Sequence, residues 1–541
     1  MKDRSRRPIA AVALSGGGSR AYIAGLAQLA ALEDLGLLSS VDHVASVSGG
    51  AWAMAVHAWG SSCARQPSLR PESLTWRALR HMPADVPHGA LTRVSLVRQF
   101  ARRLVAGRKP PYEAWRGALW ETILQPLGIP EGASFPWSAG QPQAKLPPPS
   151  ASFTPHFVAT LQGPQSLAPF ELAQRSFGCL DLSPSEARCA PGTERTYSGR
   201  PGGPSTPLAT RSMRLSRRSL LHLPAPATAS RMGAPFTLAD ALAATSFFPG
   251  AYLASAAQGR GWRWRRWAGR QWRCALEGSS LLAVGDEDTL EDTPPSDVDE
   301  PADAFLLADG ASVANIALPL LLAAPARATR VLALFNVGEA LPTRAQWAPS
   351  ARLPPPCDAF AISEDLAALF GILPSTPNPH KDLSRSQCFE PREFARTMRS
   401  LQRGMESGRG AVATTRLRTI ANPWWGLPAG TEVTVCWAYM SRVPVWEQRL
   451  PPDVRGALAP LSTTTGSVLG GDASRASAFQ IVRTLAAEAL RPWRRHRPLD
   501  SLPQLPLMRL RPSAEEANAL YQQSGWVMHE HAEQLRALLA G

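Results

Sequence analysis

Ile9-Ala10-Ala11-Val12-Ala13-Leu14-Ser15-Gly16-Gly17-Gly18-Ser19-Arg20-Ala21 stands close to the start of a 541-residue chain. Ile9 to Leu14 is apolar without a break, the pattern of a short strand buried on both faces. Ser15 and three glycines make a loop, and from Ser19 the period changes. Ile23, Leu26, Ala27 and Ala30 fall at i, i+3, i+4 and i+7, the stripe of an amphipathic helix. Gly36 ends that helix. His43 to Val47 reads as a second strand, Ser48-Gly49-Gly50 as a sharp turn, and Ala51 to Trp59 as the next helix. Strand, loop, helix, strand, turn, helix implies a parallel sheet with right-handed crossovers. The expected fold class is therefore α/β: a central, mainly parallel sheet flanked by helices, with long loop insertions.

Further strands are expected at His156 to Leu161, Ala304 to Ala308, Arg330 to Phe335 and Glu432 to Tyr439. Residues 1–541 are expected to form a single catalytic domain. Inserted loops are expected at about 61–90, 136–149, 183–233 and 260–303, where proline, serine, glycine and charge interrupt the periodic segments. Hydrophobic residues are 44% and charged residues 18% of the chain, so a sizeable core is possible and full disorder is excluded. No apolar run reaches the ~18 residues that span a bilayer. The basic N-terminus lacks a secretory apolar region, so no cleaved signal is expected. The net charge of +14 favours anionic partners. The seven cysteines include no C-x-x-C pair, which reads as reduced thiols in a cytoplasmic compartment.

Three segments could carry chemistry. Consecutive glycines after a buried strand let backbone N–H groups face outward, and a helix opening there adds its positive end. Gly16, Gly17 and Gly18 thus make an anion site or an oxyanion hole, and Arg20 in the first turn places a guanidinium beside it. A tight turn without ligand would use the same glycines. Gly16-x-Gly18-x-x-Ala21 also fits a loose dinucleotide loop, but the second strand ends at Val47 and Ser48 with no carboxylate to bind a ribose. Ser46-Val47-Ser48-Gly49-Gly50 looks like a nucleophile elbow exposing the Ser48 hydroxyl, with an N-cap serine as the plainer alternative. Asp309-Gly310, ending the strand Ala304 to Ala308, puts a carboxylate where it can reach a serine on a neighbouring strand, although Asp-Gly turns are common.

Together these segments resemble the catalytic domain of the cytosolic phospholipase A2 / lysophospholipase family, within the patatin-like phospholipase superfamily. The resemblance runs through Ser15 to Ala21, Ser46 to Trp52, Pro155-His156-Phe157-Val158-Ala159, Pro169-Phe170-Glu171-Leu172 with Phe177-Gly178, Asp309-Gly310-Ala311, and Asn315-Ile316-Ala317-Leu318-Pro319-Leu320-Leu321. It covers residues 9 to 340 in order. It implies hydrolysis of fatty-acyl esters of phospholipids or lysophospholipids by a Ser48–Asp309 dyad through an acyl-serine intermediate. It further implies that Gly17 and Gly18, with Gly16, supply oxyanion donors, and that Arg20 meets a phosphate or the transition state. The sequence departs from the family at Ser46, where a glycine is usual, and at Ala311, where patatins carry a second glycine. A Ser-His-Asp hydrolase is the mechanistic rival, with His380, His496, His529 and His531 following Asp309. An inactive lipid-binding homologue and a nucleotide-binding protein are the rivals from other classes.

Trp262, Trp264, Trp267 and Trp272 interleave with six arginines over Arg260 to Arg273. Tryptophan favours the membrane–water interface and arginine attracts anionic lipid, so peripheral membrane contact is expected here. A hairpin with inward tryptophans is the plainer reading, and nucleic acid is not expected as a partner. Asp286 to Asp303 carries nine acidic residues and reads as a solvated loop. No metal-ligand cluster and no calcium loop stand out, and no cofactor is expected. The first strand leaves no room before it for the calcium-dependent lipid-binding module of related eukaryotic enzymes, so activity without calcium is expected.

Overall fold

The computed structural model describes residues 8–60, 70–83, 86–105, 111–133, 151–163, 168–173, 177–179, 214–217, 234–235, 237–246, 280–285, 304–323, 326–349, 357, 362–376, 381–458, 503 and 511–541. The strands are β1 (Ala10–Leu14), β2 (His43–Ser46), β3 (Thr154–Gly163), β4 (Ala168–Ala173), β5 (Phe177–Cys179), β6 (Arg214–Arg217), β7 (Ala234–Pro235), β8 (Ser280–Gly285), β9 (Ala304–Asp309), β10 (Arg330–Phe335), β11 (Ala411–Arg418) and β12 (Glu432–Tyr439). They join in one sheet, ordered β11-β12-β10-β1-β2-β3-β9-β8-β6-β7, with β4 and β5 branching from β3. The central run β12-β10-β1-β2-β3 is parallel throughout, and the flanking pairs are antiparallel.

The alternation of β1 explains the layers. Ala10, Val12 and Leu14 enter one core with the first two helices, α1 (Gly18–Asp34) and α2 (Ser48–Trp59). Ala11 and Ala13 enter a second core with Val331, Ala333, Phe335, Trp437 and the helix Phe394–Glu406. Both faces of a parallel strand are covered, so its sequence is apolar at every position. Helix α1 is buried beyond its expected stripe, because α2 packs on one side and the helix Ala514–Glu530 on another. A Cβ at Gly25 would stand 3.0 Å from the Ala53 Cβ, so glycine there sets how closely the helices approach. The helix ends with Gly36 at φ 70°, its N–H on the Glu33 carbonyl and the Leu37 N–H on the Leu32 carbonyl, the double closure that glycine permits.

One expectation is corrected. Helix α2 begins at Ser48 with Val47 as its N-cap, and no side chain caps it, so Ser48 is not the capping serine of a helix starting at Ala51. Within the ranges expected as insertions, Arg214–Arg217 and Ser280–Gly285 are paired strands, and Trp76–Arg80 is a short helix with Leu79 buried. Residues 136–149, the acidic run 286–303 and Trp262, Trp264, Trp267 and Trp272 lie outside the described residues. Cys357, Cys388 and Cys436 are buried and form no disulfide among the described residues, and burial pushes Cys436 up to about 12. No helix among the described residues is long and apolar enough to cross a membrane.

Candidate active site

The register of β3 brings Ser48 and Asp309 together. A strand has two edges. β4 takes one edge of β3 over His156–Leu161. On the other edge β2 pairs from Thr154 to Phe157, and β9 takes over from Ala159. β2 is parallel to β3 and β9 is antiparallel, so their carboxyl ends meet head-on along a single edge. Asp309 pairs with Ala159, and two residues past the Ser46–Phe157 pair Ser48 falls at the same level. The sequence suggested a neighbouring strand end. The structure reaches the same juxtaposition through an antiparallel strand.

The Ser48 Oγ lies 3.2 Å from Asp309 Oδ2, and both side chains are buried. Ser48 has φ 48°, the left-handed region, which costs an L-residue about 1–2 kcal/mol. Such strain is the mark of a strand-to-helix elbow that thrusts its side chain outward. The turn is held by Gly50 N–H on the Val47 carbonyl and by Ser48 N–H on Thr245 Oγ1 at 3.2 Å. Thr245 in turn donates to the Val158 carbonyl. Ser46 fits without the usual glycine, because its hydroxyl lies at bonding distance from the His156 carbonyl and the Met54 sulfur.

Asp309 divides its carboxylate. Oδ1 accepts the Ala311 N–H at 2.9 Å and caps the short turn Gly310–Ser312, which leaves Oδ2 for Ser48. Ala311 sits inside that turn, so the second glycine of patatins is not required. Burial raises Asp309 from 3.8 to about 7, partly offset by the Ala311 and Ser48 hydrogen bonds and by the Lys381 charge. A carboxylate of ordinary acidity is a feeble base toward a hydroxyl, and one near 7 is poised for proton transfer at neutral pH.

The glycine loop and the elbow interlock. A Cβ at Gly49 would stand 2.1 Å from the Gly18 carbonyl oxygen, and one at Gly50 would stand 2.5 Å from that of Ser15. A Cβ at Gly16 would stand 3.1 Å from the Ser48 Cβ. The glycines after the serine are needed for this contact. Gly49→Ala would press a methyl on backbone that cannot swing aside. It is expected to cost about 1–3 kcal/mol of stability and to lower any turnover with it. Denaturation midpoints and rates equal to wild type would show that the two segments are not in contact.

The three glycines are not equivalent. The Gly16 N–H donates to the Asn315 carbonyl at 2.8 Å. Gly17, at φ 140°, and Gly18, at φ 58°, make no such bond through N–H among the described residues. Arg20 is buried, and its Nε donates to the Asn336 carbonyl at 2.9 Å. Burial lowers it to about 10, against the raising influence of Glu339 and Tyr439, so it stays charged at neutral pH. A Cβ at Gly17 would stand 3.2 Å from Arg20 Nη2, so the guanidinium lies beside the loop. Thr245, Asp365 and Asn336 carry no motif that marks them in the sequence, whereas Asn315 opens one of the segments that carry the resemblance. Asn315 ties the loop to Asp365 at 2.7 Å, and Lys381 lies 3.7 Å from Asp365. Among the late histidines, His529 approaches Asp34 at 4.0 Å and His531 the Arg409 carbonyl at 3.3 Å, while His380 and His496 lie outside the described residues. Among the described residues no group of three or more His, Cys, Asp or Glu could hold a metal.

Fold and site define an α/β protein with a serine–carboxylate pair at a strand-to-helix elbow. The chain is similar to cytosolic phospholipases A2. A stretch of 47 residues, 9% of this chain, is 53% identical to cytosolic phospholipase A2 gamma of Mus musculus and spans 8% of it. Human GIVD cytosolic phospholipase A2 matches with a TM-score of 0.44 and 14% identity, over 99% of this chain and 61% of that one. The human enzyme in complex with methyl gamma-linolenyl fluorophosphonate matches with a TM-score of 0.38 and 13% identity, over 99% and 61% of the two chains. The chain therefore spans less than two thirds of these relatives. No protein-family model matches.

Proposed function

We propose that the chain is a serine ester hydrolase acting on fatty-acyl esters of phospholipids or lysophospholipids. The carrying observation is the Ser48 hydroxyl, held in left-handed backbone 3.2 Å from a buried Asp309 carboxylate. Ser48 Oγ attacks the ester carbonyl carbon and its proton passes to Asp309 Oδ2. The oxygen that becomes negative is met by Gly17 and Gly18 N–H groups, each worth about 2.7–4 kcal/mol in the transition state. Asp309 then protonates the departing alkoxide. Water repeats the sequence on the acyl-serine and frees the fatty acid. The lipid substrate is supported by the motif resemblance and by the names of the similar proteins. Arg20, charged and beside Gly17, is assigned to the substrate phosphate or to the transition state. All of 1–541 then serves one catalytic unit.

The test is an alkyl fluorophosphonate probe followed by peptide mapping, with mass analysis of the products from mixed phospholipids. Label on Ser48 and released fatty acid are expected. An unlabelled Ser48 in folded protein would leave an inactive lipid-binding homologue. In the same proposal the protein works from the aqueous side of a membrane, with the tryptophan–arginine stretch 260–273 as its contact. Changing Trp262, Trp264, Trp267 and Trp272 to alanine is expected to weaken co-sedimentation with anionic liposomes, and unchanged retention rejects that contact.

A further inference from the structure

Asn336 follows Phe335 at the carboxyl end of β10 and is buried. Each of its four polar atoms has a partner. Its backbone N–H donates to Ser15 Oγ at 2.8 Å, and its carbonyl accepts from Arg20 Nε at 2.9 Å. Its side chain pairs reciprocally with Gln28: Nδ2 donates to Gln28 Oε1 at 2.9 Å, and Oδ1 accepts from Gln28 Nε2 at 3.0 Å. A Cβ at Gly17 would stand 2.6 Å from the Asn336 carbonyl oxygen. One residue therefore grips the chain before the glycines, presses on the middle glycine, and holds two points of the helix that follows. It does so between β10 and β1, where the connections diverge to opposite sides of the sheet, the crevice that ligands of open α/β sheets use.

An apolar pair of the same shape would serve the core as well as this amide pair, since two matched polar groups add little net stability. The amide pair does fix direction. It pins the Asn336 side chain and, through its Cα, adds restraint to the peptides whose N–H and carbonyl bond Ser15 and Arg20. We propose that Asn336 is a positioning residue: through Ser15, Gly17 and Arg20 it holds the glycine loop with the Gly17 and Gly18 N–H groups turned toward the reacting oxygen. It touches no reacting atom. The inference rests on the Ser48–Asp309 proposal and can fail separately from it.

The experiment compares Asn336→Leu, Gln28→Met and the double variant. Each single change orphans a buried amide and should lower the melting temperature. The double leaves no orphan and should regain most of the loss. In all three, kcat should fall about 100-fold, the scale of a small misplacement of a catalytic group, with KM within about threefold. Fluorophosphonate labelling of Ser48 should slow in parallel, because the phosphonyl oxygen needs the same donors. A double variant with both wild-type stability and wild-type kcat would overturn the proposal and leave the pair structural. Gln28→Met favours helix and keeps the comparison available should Asn336→Leu fail to fold; wild-type kcat there overturns the proposal equally. A wild-type protein that neither labels nor hydrolyses would bring down the hydrolase proposal itself.

Discussion

Ser48→Ala should reduce ester turnover by about 10⁴-fold or more, to what the glycine donors and binding alone provide. The fold should survive, because the Ser48 side chain contributes one hydrogen bond, to Asp309. Ser48→Gly makes the sharper companion. Glycine accepts φ 48° without penalty, so this variant should be equally inactive and about 1 kcal/mol more stable than the alanine variant. A dead protein that gains stability at its nucleophile position would show that the strained backbone serves chemistry. Turnover above a hundredth of wild type in Ser48→Ala would move the nucleophile elsewhere.

Asp309→Asn is the second large effect. Asparagine keeps the shape and can still accept the Ala311 N–H, but it then presents an NH₂ group to Ser48. It cannot take the proton, and a loss of about 10²–10⁴-fold in kcat is expected. Wild-type kcat should rise with pH along a limb near 7, the value to which burial pushes Asp309, because the ionised form is the base. That limb should vanish in the variant. Stability should move the opposite way. A carboxyl raised from 3.8 to about 7 binds its proton more tightly folded than unfolded, so its contribution is complete below about 4 and lost as pH rises through about 7. Asp309→Asn should flatten that slope in urea titrations across the same range. Replacing His529 or His531 should leave kcat within a few fold, and a loss of orders of magnitude at either would restore a histidine to the mechanism.

β1, β10 and β12 were legible because an uninterrupted apolar run between polar breaks has few other uses. β10 and β12 have the bounds the sequence suggests, Arg330–Phe335 and Glu432–Tyr439. Strand direction was not legible. Ala304–Asp309 is as apolar as a parallel strand, yet it runs antiparallel to β3, since hydropathy records burial and not orientation. Helix α2 starts earlier than expected because Gly49 and Gly50 have poor helix propensity and read as turn, while contact with the glycine loop demands them. Ser48, Asp309 and the glycines stood out through their neighbours. Asn336 and Thr245 did not, because their partners are set by tertiary packing: the Asn336 side chain bonds Gln28 across 308 positions.

The edge of β3 shared by β2 and β9 has a consequence for how this chain tolerates change. The segment entering β9 is tied to β3 by its final residues, Leu306 to Asp309, so alignment is decided locally. Lengthening or trimming the sequence upstream of β9 should leave the hydroxyl and carboxyl in place, provided the strands β9 pairs with are spared. The register shifts once, between Leu306 and Leu307; adding or deleting one amino acid within Leu307 to Asp309 would turn Asp309 to the opposite side of the sheet and silence the protein at a single stroke. Length variation should therefore be plentiful in the insertions and absent from the three positions that end β9.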